Sequence, residues 1–491
     1  MNAIVGSNNT KGFDVAGSSI FGNVSASVGY FNYKSDGFRP NNDQDQQIFS
    51  AFGQAQLAPD TMAQVEFRAR DLTSGDLFLF FDPVSLGLNR RDKENSTSQR
   101  VGLRQQLSPS SDILISLSRR SRDTNFLFPA FVTGHTADEG FVGEGQFMNV
   151  LEQPWSALPL QRVTTILGVG RGAAITRDTS TQFFYDPTDT SCVPSDPSLD
   201  THDLEHTNAY VYESLAMFDR LDLTVGASYE DFVVPSVDRT QLNPKLGASI
   251  AITEKINFRA AAFRTTTRTP SANQTLEPTQ VAGFNQFYND PEGTSAWHYG
   301  VGVDLKFLSS LYGGAEAAYR DVKFQIPDQS TGDTITQKHR EYLARAHLYL
   351  AISDYWAFGV DSLEERFAHD KAISIGDFTV LSTPSIRANL GYHHPSGFSF
   401  SLRPRFIQQD GDFSNGFTPL DFHGADEFVL TEAELSYRLP RSLGKLSVVG
   451  LNLLNEKFKF QGGLPTRVDV PTNSQVSFER QVLFQFNVVF P

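Results

Sequence analysis

The C-terminal segment from Ser477 to Phe490 alternates between apolar and polar residues. One parity carries Phe478, Val482, Phe484, Phe486, Val488 and Phe490, and the other carries Glu479, Gln481, Gln485 and Asn487. Because successive side chains of a strand point to opposite faces, the segment predicts a strand with one apolar and one polar face. A soluble sandwich buries such an apolar face, whereas an outer-membrane barrel turns it towards lipid.

The same alternation recurs along the chain, for example in residues 63–70, 221–230, 296–307, 398–406 and 432–439. The predicted strands are ten to fifteen residues long, whereas strands of soluble sheets have a mode of about five to six. A tilted strand needs this greater length to cross a membrane. The pattern therefore favours one large antiparallel transmembrane β-barrel of about 20–22 strands.

The predicted connections alternate strictly in length. Short turns lie at 58–60, 108–111, 218–220, 253–255, 308–310, 353–354 and 440–442, and long polar loops lie near 72–97, 121–141, 176–205, 267–294, 411–426 and 457–476. Outer-membrane barrels have short periplasmic turns and longer extracellular loops. Every short turn falls on the same side as Phe490, which predicts a periplasmic C-terminus.

The strand count raises a question of closure. We count about 21 strands, the first near residues 12–20, whereas single-chain bacterial barrels have an even number. Residues 12–20 and 477–490 run in the same direction, so they are not expected to pair directly in an antiparallel ladder. The missing strand is expected before residue 1. Alternatively, residues 1–8 could close the barrel as a short strand, or residues 22–33 could close it if residues 12–20 do not belong to the sheet. The expected organisation is a lead-in at residues 1–11, which could be a truncated strand, and a single barrel over 12–491.

The composition excludes several protein classes. The chain has 491 residues, a net charge of −15, 41 Phe and a single Cys, Cys192. No run approaches the eighteen or so apolar residues of a spanning helix, so a helical membrane protein is excluded. One cysteine allows no intramolecular disulfide, and the absence of a basic cluster argues against nucleic-acid binding. No signal peptide is visible near Met1.

Motifs for catalysis and cofactor binding are weak. The segment His202–His206 has the H-x-x-E-H spacing of zinc enzymes, but it lies at the end of a loop rather than on a helix. The loop carboxylates Asp186, Asp189, Asp196 and Asp200 lack the pattern of an EF-hand and predict a solvated loop. Residues 168–172 form a glycine-rich segment that predicts a strand rather than a phosphate loop. We therefore expect no enzyme activity, no bound metal and no cofactor.

Two sets of residues could carry function. The predicted lumen wall bears charged residues: Arg68, Arg104, Arg259, Asp304, Glu316, Arg320, Arg345, Arg403, Arg405, Glu432, Glu434 and Arg438. They could pair with one another or with a plug, or they could form a path for an anionic solute. The predicted extracellular loops bear aromatic residues: Phe78, Phe80, Phe81, Phe126, Phe128, Phe131, Phe284, Phe287 and Tyr288. These could close over a ligand or pack the loops together.

Five segments resemble the barrel of TonB-dependent outer-membrane receptors. Residues 241–247, 256–264 and 268–271 are similar to the family's "NPKLG"-like strand, Arg-bearing strand and "R-x-P" loop. Residues 450–458 resemble its penultimate "N-L-F-D/N-K-x-Y/F" strand end, and residues 36–41 resemble its "DGFR-x-N" loop. The resemblance extends over nearly the whole chain.

The resemblance implies an outer-membrane receptor or transport barrel of a Gram-negative bacterium that binds or passes an unknown solute through its lumen. The family also carries an N-terminal plug and a TonB box, and neither is present in this sequence; Pro491 follows the aromatic Phe490. The expected partners are outer-membrane lipid and an upstream part of the same precursor, but no nucleic acid. An alternative function is an anchoring or export barrel joined to an upstream periplasmic helical-repeat region.

Overall fold

The computed structural model describes residues 1–77, 89–128, 132–152, 160–186, 191–234, 237–268, 275–286, 290, 293–327, 334–370, 378–414, 421–460 and 479–488. Nearly all of these residues belong to strands. In chain order the strands are β1 (Asn2–Gly6), β2 (Thr10–Phe21), β3 (Val24–Ser35), β4 (Gln44–Ala58), β5 (Thr61–Ser74), β6 (Arg91–Ser108), β7 (Ser111–Phe128), β8 (Val132–Glu152), β9 (Leu160–Asp186), β10 (Ser191–Pro194), β11 (Ser198–Met217), β12 (Leu221–Val234), β13 (Val237–Thr253), β14 (Ile256–Thr266), β15 (Gln280–Val281), β16 (Phe284–Asn285), β17 (Ser295–Leu308), β18 (Leu311–Pro327), β19 (Thr334–Ala351), β20 (Trp356–His369), β21 (Phe378–His393), β22 (Phe398–Ser414), β23 (Asp421–Arg438), β24 (Gly444–Leu451) and β25 (Gln481–Val488). A 3-10 turn, Pro440–Ser442, joins β23 to β24. In the described part of the chain no helix is long and apolar enough to span a membrane.

The strands form one closed antiparallel barrel. Consecutive strands pair along the chain, and β1 pairs with β2 on one side and with β25 on the other. Strand β10 pairs only with the end of β9, and β15 and β16 form a separate two-stranded hairpin. The barrel therefore has twenty-two strands, as the alternation predicts.

Closure depends on β1, the shortest strand of the barrel. Its Asn2 lies opposite Asp14 of β2 and Asn487 of β25. As predicted, residues 12–20 do not pair with the C-terminal strand. The expectation that the closing strand lies before residue 1 is wrong, because residues 2–6 of the lead-in segment provide it. An antiparallel ring needs an even number of strands, and β1 restores that number.

Connection lengths follow the prediction at one end of the barrel and depart from it at the other. The seven predicted short turns all separate consecutive strands. The long loops predicted at 121–141 and 176–205 are wrong over most of their length, because β7, β8, β9 and β11 continue through them. Backbone ladders between neighbouring strands persist there although many of the residues are polar.

Side chains alternate between the outside of the barrel and the lumen. On the apolar parity of their strands, Tyr299, Val301, Leu435, Phe484 and Phe486 are exposed, and Phe400 is half-buried. Buried polar residues such as His298 occupy the opposite parity of the same strands. The barrel therefore has an apolar exterior and a polar interior, and its buried groups are lumen-facing.

Candidate functional site

The connection between β14 and β17 folds back into the barrel. We call its residues 275–286 the lumen loop. Its tip is the hairpin β15–β16, in which Val281 lies opposite Phe284 and Gln280 opposite Asn285. Val281 is 0% and Phe284 6% exposed, whereas Gln280 and Asn285, on the other face, are exposed. The hairpin therefore buries one face against the wall and presents the other to the lumen.

The wall has a seat for this hairpin, formed by three small residues at one level. Gly247 of β13 lies opposite Ala261 of β14, which lies opposite Gly300 of β17. A Cβ atom at Gly247 would lie 2.6 Å from the Val281 side chain, and one at Gly300 would overlap the Phe284 ring. Any larger side chain at either glycine would occupy the space that the hairpin fills.

Arg268 ties the start of this connection to the wall. Its guanidinium contacts three carboxylates: Glu230 at 2.9 Å, Glu144 at 3.8 Å, and Glu277 of the lumen loop. All four side chains are at most 4% exposed. Burial lowers the pKa of Arg268, but Glu277 and Glu230 raise it, and the net pKa lies above its ordinary value. The guanidinium therefore stays charged and balances the negative charge of the buried carboxylates around it.

Further hydrogen bonds hold the lumen loop to strands β8 and β11. Glu144 accepts hydrogen bonds from the Thr275 hydroxyl at 2.6 Å and from the Leu276 amide at 2.9 Å. The Tyr212 hydroxyl donates to Glu277 at 2.6 Å. Together with the ion pairs of Arg268, these bonds give the buried carboxylates of Glu144 and Glu277 hydrogen-bond partners. This indicates that the lumen loop is held in one position against the wall.

Charged residues of the wall continue below the hairpin. Arg259 lies 5.2 Å from the centre of the Phe284 ring and forms ion pairs of 3.1 Å with both Asp304 and Glu316. Glu316 also pairs with Arg345 at 3.2 Å. The tip of the lumen loop thus rests on a cross-strand network whose charges compensate one another.

Most of the other predicted lumen residues form separate ion pairs. Arg320 contacts Glu341 at 2.5 Å and also pairs with Asp290. The remaining contacts are Arg104 with Asp112 at 3.1 Å, Arg403 with Glu432 and Glu434 at 3.7 Å each, and Arg405 with the Ser385 hydroxyl at 3.1 Å. Among the described residues, Arg68 and Arg438 form no ion pair. These residues are distributed around the wall, and a shared role as a solute path stays a prediction.

Few of the predicted loop aromatics can be placed. Phe284 packs the lumen loop against the wall, and Phe126 of β7 lies against Gly134 of β8. The backbone of Phe128 ends β7. Outside the described residues lie Phe78, Phe80, Phe81, Phe131, Phe287 and Tyr288. For Phe284, therefore, packing rather than closure over a ligand is what the contacts support.

The segments that carried the family resemblance anchor loops. In residues 241–247 the inward side chains Gln241, Asn243 and Lys245 are at most 5% exposed, and they lie on the wall beside Arg268 and the lumen loop. Arg39, in the segment 36–41, donates to the carbonyl of Asp76 at 2.9 Å and joins two neighbouring loops. At the end of residues 450–458, Phe458 stacks on Phe428 at 4.1 Å. Sequence reasoning missed the partners of Arg268, because no local pattern links β8, β12 and the connection after β14.

The H-x-x-E-H segment lies within strand β11. His206 faces inward and contacts Glu230 at 2.5 Å, whereas Glu205 is exposed on the opposite face. His202 lies 3.2 Å from Asp200. The strand separates the residues that a helix would bring together, so this segment lacks the geometry of a zinc enzyme. Residues 168–172 lie in β9, as predicted.

Comparison with known proteins identifies the family. A family model described as "TonB dependent receptor-like, beta-barrel" matches residues 67–455. The chain belongs to this family. It is accordingly an outer-membrane receptor or transport barrel of Gram-negative bacteria and not an enzyme. No curated protein sequence matches the chain significantly.

Solved structures of similar fold are receptors of this family. The pyoverdine outer-membrane receptor of Pseudomonas aeruginosa PAO1, bound to pyoverdine, aligns with a TM-score of 0.72 at 12% identity, over 100% of this chain and 78% of that chain. The ferric-catecholate import receptor of E. coli K12 aligns with a TM-score of 0.65 at 12% identity, over 100% and 81%. The alcaligin outer-membrane receptor of Bordetella pertussis gives 0.63 at 12%, over 99% and 74%. These matches show that the chain shares the barrel fold of the three solved proteins.

Proposed function

We propose that this barrel takes up a siderophore-type iron chelate through its lumen, from the end that carries the long loops. The solved receptors of similar fold support this substrate class, since their names include pyoverdine, a ferric catecholate and alcaligin. The observation in this chain that supports a small solute is the lumen loop. It occupies part of the lumen, which suits passage of a compact molecule rather than export of a folded polypeptide.

The chemistry of the lumen agrees with a polar cargo. The lumen loop presents Thr279, Gln280 and Asn285, which are exposed and uncharged. The neighbouring wall charges on Arg259 and Glu316 compensate one another. A polar solute can therefore exchange its hydration for hydrogen bonds without meeting a large fixed charge of one sign.

The proposal includes an orientation with a periplasmic C-terminus, with the outward apolar face in lipid. Its support is the position of the seven short turns, which share one end with the C-terminus, because short turns are periplasmic in barrels of this class. It also includes a plug in the remaining lumen, contributed by an upstream part of the same precursor. Barrels with twenty-two strands have a plugged lumen.

The substrate class can be tested by binding to the full-length protein. Ferric hydroxamate, ferric catecholate and ferric pyoverdine-type chelates would be titrated separately, with the corresponding iron-free ligands as controls. We expect saturable quenching of tryptophan fluorescence by at least one ferric form, and loss of uptake of that chelate in a deletion strain. The substrate proposal fails if no ferric chelate binds and iron uptake is unchanged in the deletion strain.

The orientation can be tested with a membrane-impermeant maleimide on intact cells. With Cys192 replaced by Ser, Asp200→Cys at the long-loop end should be labelled, because the Asp200 side chain is 69% exposed. Ser309→Cys, exposed in a short turn, should react only after the cells are lysed. Labelling of Ser309→Cys alone on intact cells would reverse the proposed orientation.

A further inference from the structure

The ladder between strands β21 and β22 is interrupted in the middle of the barrel wall. Pro384 of β21 lacks its expected pair with Gln408. Four residues further along the strand, Ala388 lacks its expected pair with Pro404 of β22. Because proline has no amide hydrogen, each proline removes a hydrogen bond from this ladder. The flanking ladders β20–β21 and β22–β23 have no gap, and the register shifts of other ladders in the described barrel lie next to short turns. We call the contact between β21 and β22 the interrupted seam.

Side chains on the lumen face bridge the interrupted seam where the backbone does not. Gln409 donates to the Thr383 hydroxyl at 3.0 Å, although these two residues are not paired in the ladder. Arg405 donates to the Ser385 hydroxyl at 3.1 Å. At the second gap, the Oδ1 atom of Asn389 is buried and accepts no hydrogen bond from the described residues. The seam is thus closed in part by side-chain hydrogen bonds, which a change of rotamer can release.

Two arginines face the lumen between the two gaps of the seam. Arg387 of β21 lies directly opposite Arg405 of β22. Within the described residues neither arginine forms an ion pair, whereas the neighbouring Arg403 contacts Glu432 at 3.7 Å. Like charges directly opposite each other destabilise a sheet, and an anion that accepts hydrogen bonds from both guanidiniums removes this repulsion.

Carboxylates near the arginine pair limit the charge of an anion at this site. Asp361 of β20 lies opposite Arg387 and accepts a hydrogen bond from the Tyr349 hydroxyl. Glu365 lies on the same lumen face of β20, opposite Thr383. These carboxylates repel a group that carries several negative charges. The arginine pair therefore suits a singly charged group, and a carboxylate matches the planar donors of a guanidinium.

The arginine pair lies near the middle of the membrane-spanning part of the wall. Arg387 is six residues from His393, which ends β21 at the short-turn end. At about 3.3 Å per residue and a tilt of about 40°, six residues rise roughly 15 Å, and the apolar band of such barrels is about 25 Å tall. On the outward face at this level Ile386 and Phe406 lie opposite each other, and both are exposed. The seam therefore has two cations on its lumen side and apolar side chains on its outer side.

We propose that the interrupted seam is a side passage between the lumen and the bilayer for an amphiphilic monoanion, a molecule with one carboxylate and an aliphatic chain. Arg387 and Arg405 hold the carboxylate in the lumen, and the chain leaves between β21 and β22 past Ile386 and Phe406. Only residues 385–387 of β21 are paired with β22 between the two gaps, so few backbone bonds oppose the opening. This passage is separate from the proposed uptake of an iron chelate and requires only that the outward face lies in lipid.

The first measurement is binding of the fluorescent probe dansylundecanoate to the full-length protein in lipid nanodiscs. We expect saturable binding that is roughly tenfold or more weaker in R387S/R405S, because the carboxylate loses both charged donors. The methyl ester of the probe lacks the charge and dansylglycine lacks the chain, so neither should bind saturably. The matched control is R68S/R438S, which removes two lumen arginines that lie outside the seam and should leave binding of the probe unchanged.

The second measurement is the rate at which the bound probe passes into the bilayer of added empty nanodiscs, followed by stopped-flow fluorescence. With Cys192 replaced by Ser, S385C/I407C links the two strands of the seam, because these residues lie opposite each other. L363C/S385C links β21 to β20 instead, across a ladder without a gap. Oxidation of S385C/I407C should slow release of the probe roughly tenfold or more, because a disulfide holds the two strands together. Oxidation of L363C/S385C should leave the rate as it is in the reduced form.

Several outcomes would overturn the proposal. Equal release rates from oxidised and reduced S385C/I407C would exclude passage through the seam. Unchanged binding of the probe by R387S/R405S, or an equal loss in R68S/R438S, would show that the arginine pair does not hold the carboxylate. P384V/P404V supplies the two missing amides, so it should slow both amide exchange in residues 383–389 and release of the probe, and unchanged rates would show that the gaps do not weaken the seam. Thermal unfolding of each variant verifies the fold.

Discussion

Gly300→Val should release the lumen loop while leaving the barrel intact. Gly300 belongs to β17 and faces the lumen, where a Cβ atom would overlap the Phe284 ring. Valine suits a strand, so the ladder with β14 and β18 should be retained. The hairpin β15–β16, by contrast, cannot stay in its seat when the side chain is added.

The expected loss follows from the buried area of the hairpin. Phe284 and Val281 are 6% and 0% exposed in the seat. Burying side chains of this size is worth about 1.5–3 kcal/mol each, so losing the contacts of both side chains should cost the loop about 3–6 kcal/mol. Since about 1.4 kcal/mol corresponds to a factor of ten, amide exchange in residues 275–286 should accelerate by roughly one hundred to ten thousand fold.

Hydrogen exchange with mass spectrometry measures the rates of amide exchange in peptides of the lumen loop and of the barrel strands in the same experiment. The matched control is Gly302→Val, two residues along the same lumen face. There a new Cβ atom would lie 3.1 Å from the end of the flexible Arg259 side chain, which can move. Equal rates of amide exchange in residues 275–286 of the two variants would refute the claim that the hairpin is held by packing against Gly300. Faster exchange throughout β14, β17 and β18 would mean that the substitution disrupts the wall instead.

Three further predictions concern the contacts of Arg268 with its three carboxylates, the width of the lumen and the outward face of the barrel. Arg268→Met should cost about 3–5 kcal/mol of local stability, because three carboxylates lose their buried partner, and exchange in the lumen loop should report it. Replacing residues 276–285 by a short Gly-Ser link should raise the conductance of the refolded chain in planar bilayers, and an unchanged conductance would show that the loop does not narrow the lumen. Val301→Arg on the outward face should cost roughly 2–4 kcal/mol in urea unfolding from lipid vesicles, if the position is near mid-membrane, whereas Gly302→Arg on the lumen face should cost clearly less.

The alternation of the sequence determined the strands and their faces. Side chains of a strand repeat every two residues, so parity alone assigned Tyr299 and Val301 to the outside and His298 to the lumen. The same local rule located the short turns, whereas the even number of strands follows from closure of an antiparallel ring. The pattern offered residues 1–8 only as an alternative closing strand, because five residues carry too little pattern to select residues 2–6.

Loop structure was decided by neighbours rather than by local pattern. The strands that run through residues 121–141 and 176–205 were predicted as loops because these segments are rich in polar residues. They remain strands because each pairs with a neighbouring strand and thereby satisfies its backbone hydrogen bonds, which needs no apolar face.

Only the tertiary structure decided the position of the lumen loop. The seat of its hairpin combines Gly247 and Gly300, which belong to different strands. The ion pairs that hold the loop combine Arg268 with carboxylates from β8, from β12 and from the loop itself. The sequence contained each of these residues, and the "NPKLG"-like and "R-x-P" segments marked the region. Their meeting depends on the register of separate strands and on closure of the barrel, which are long-range properties that a local periodicity of two residues does not encode.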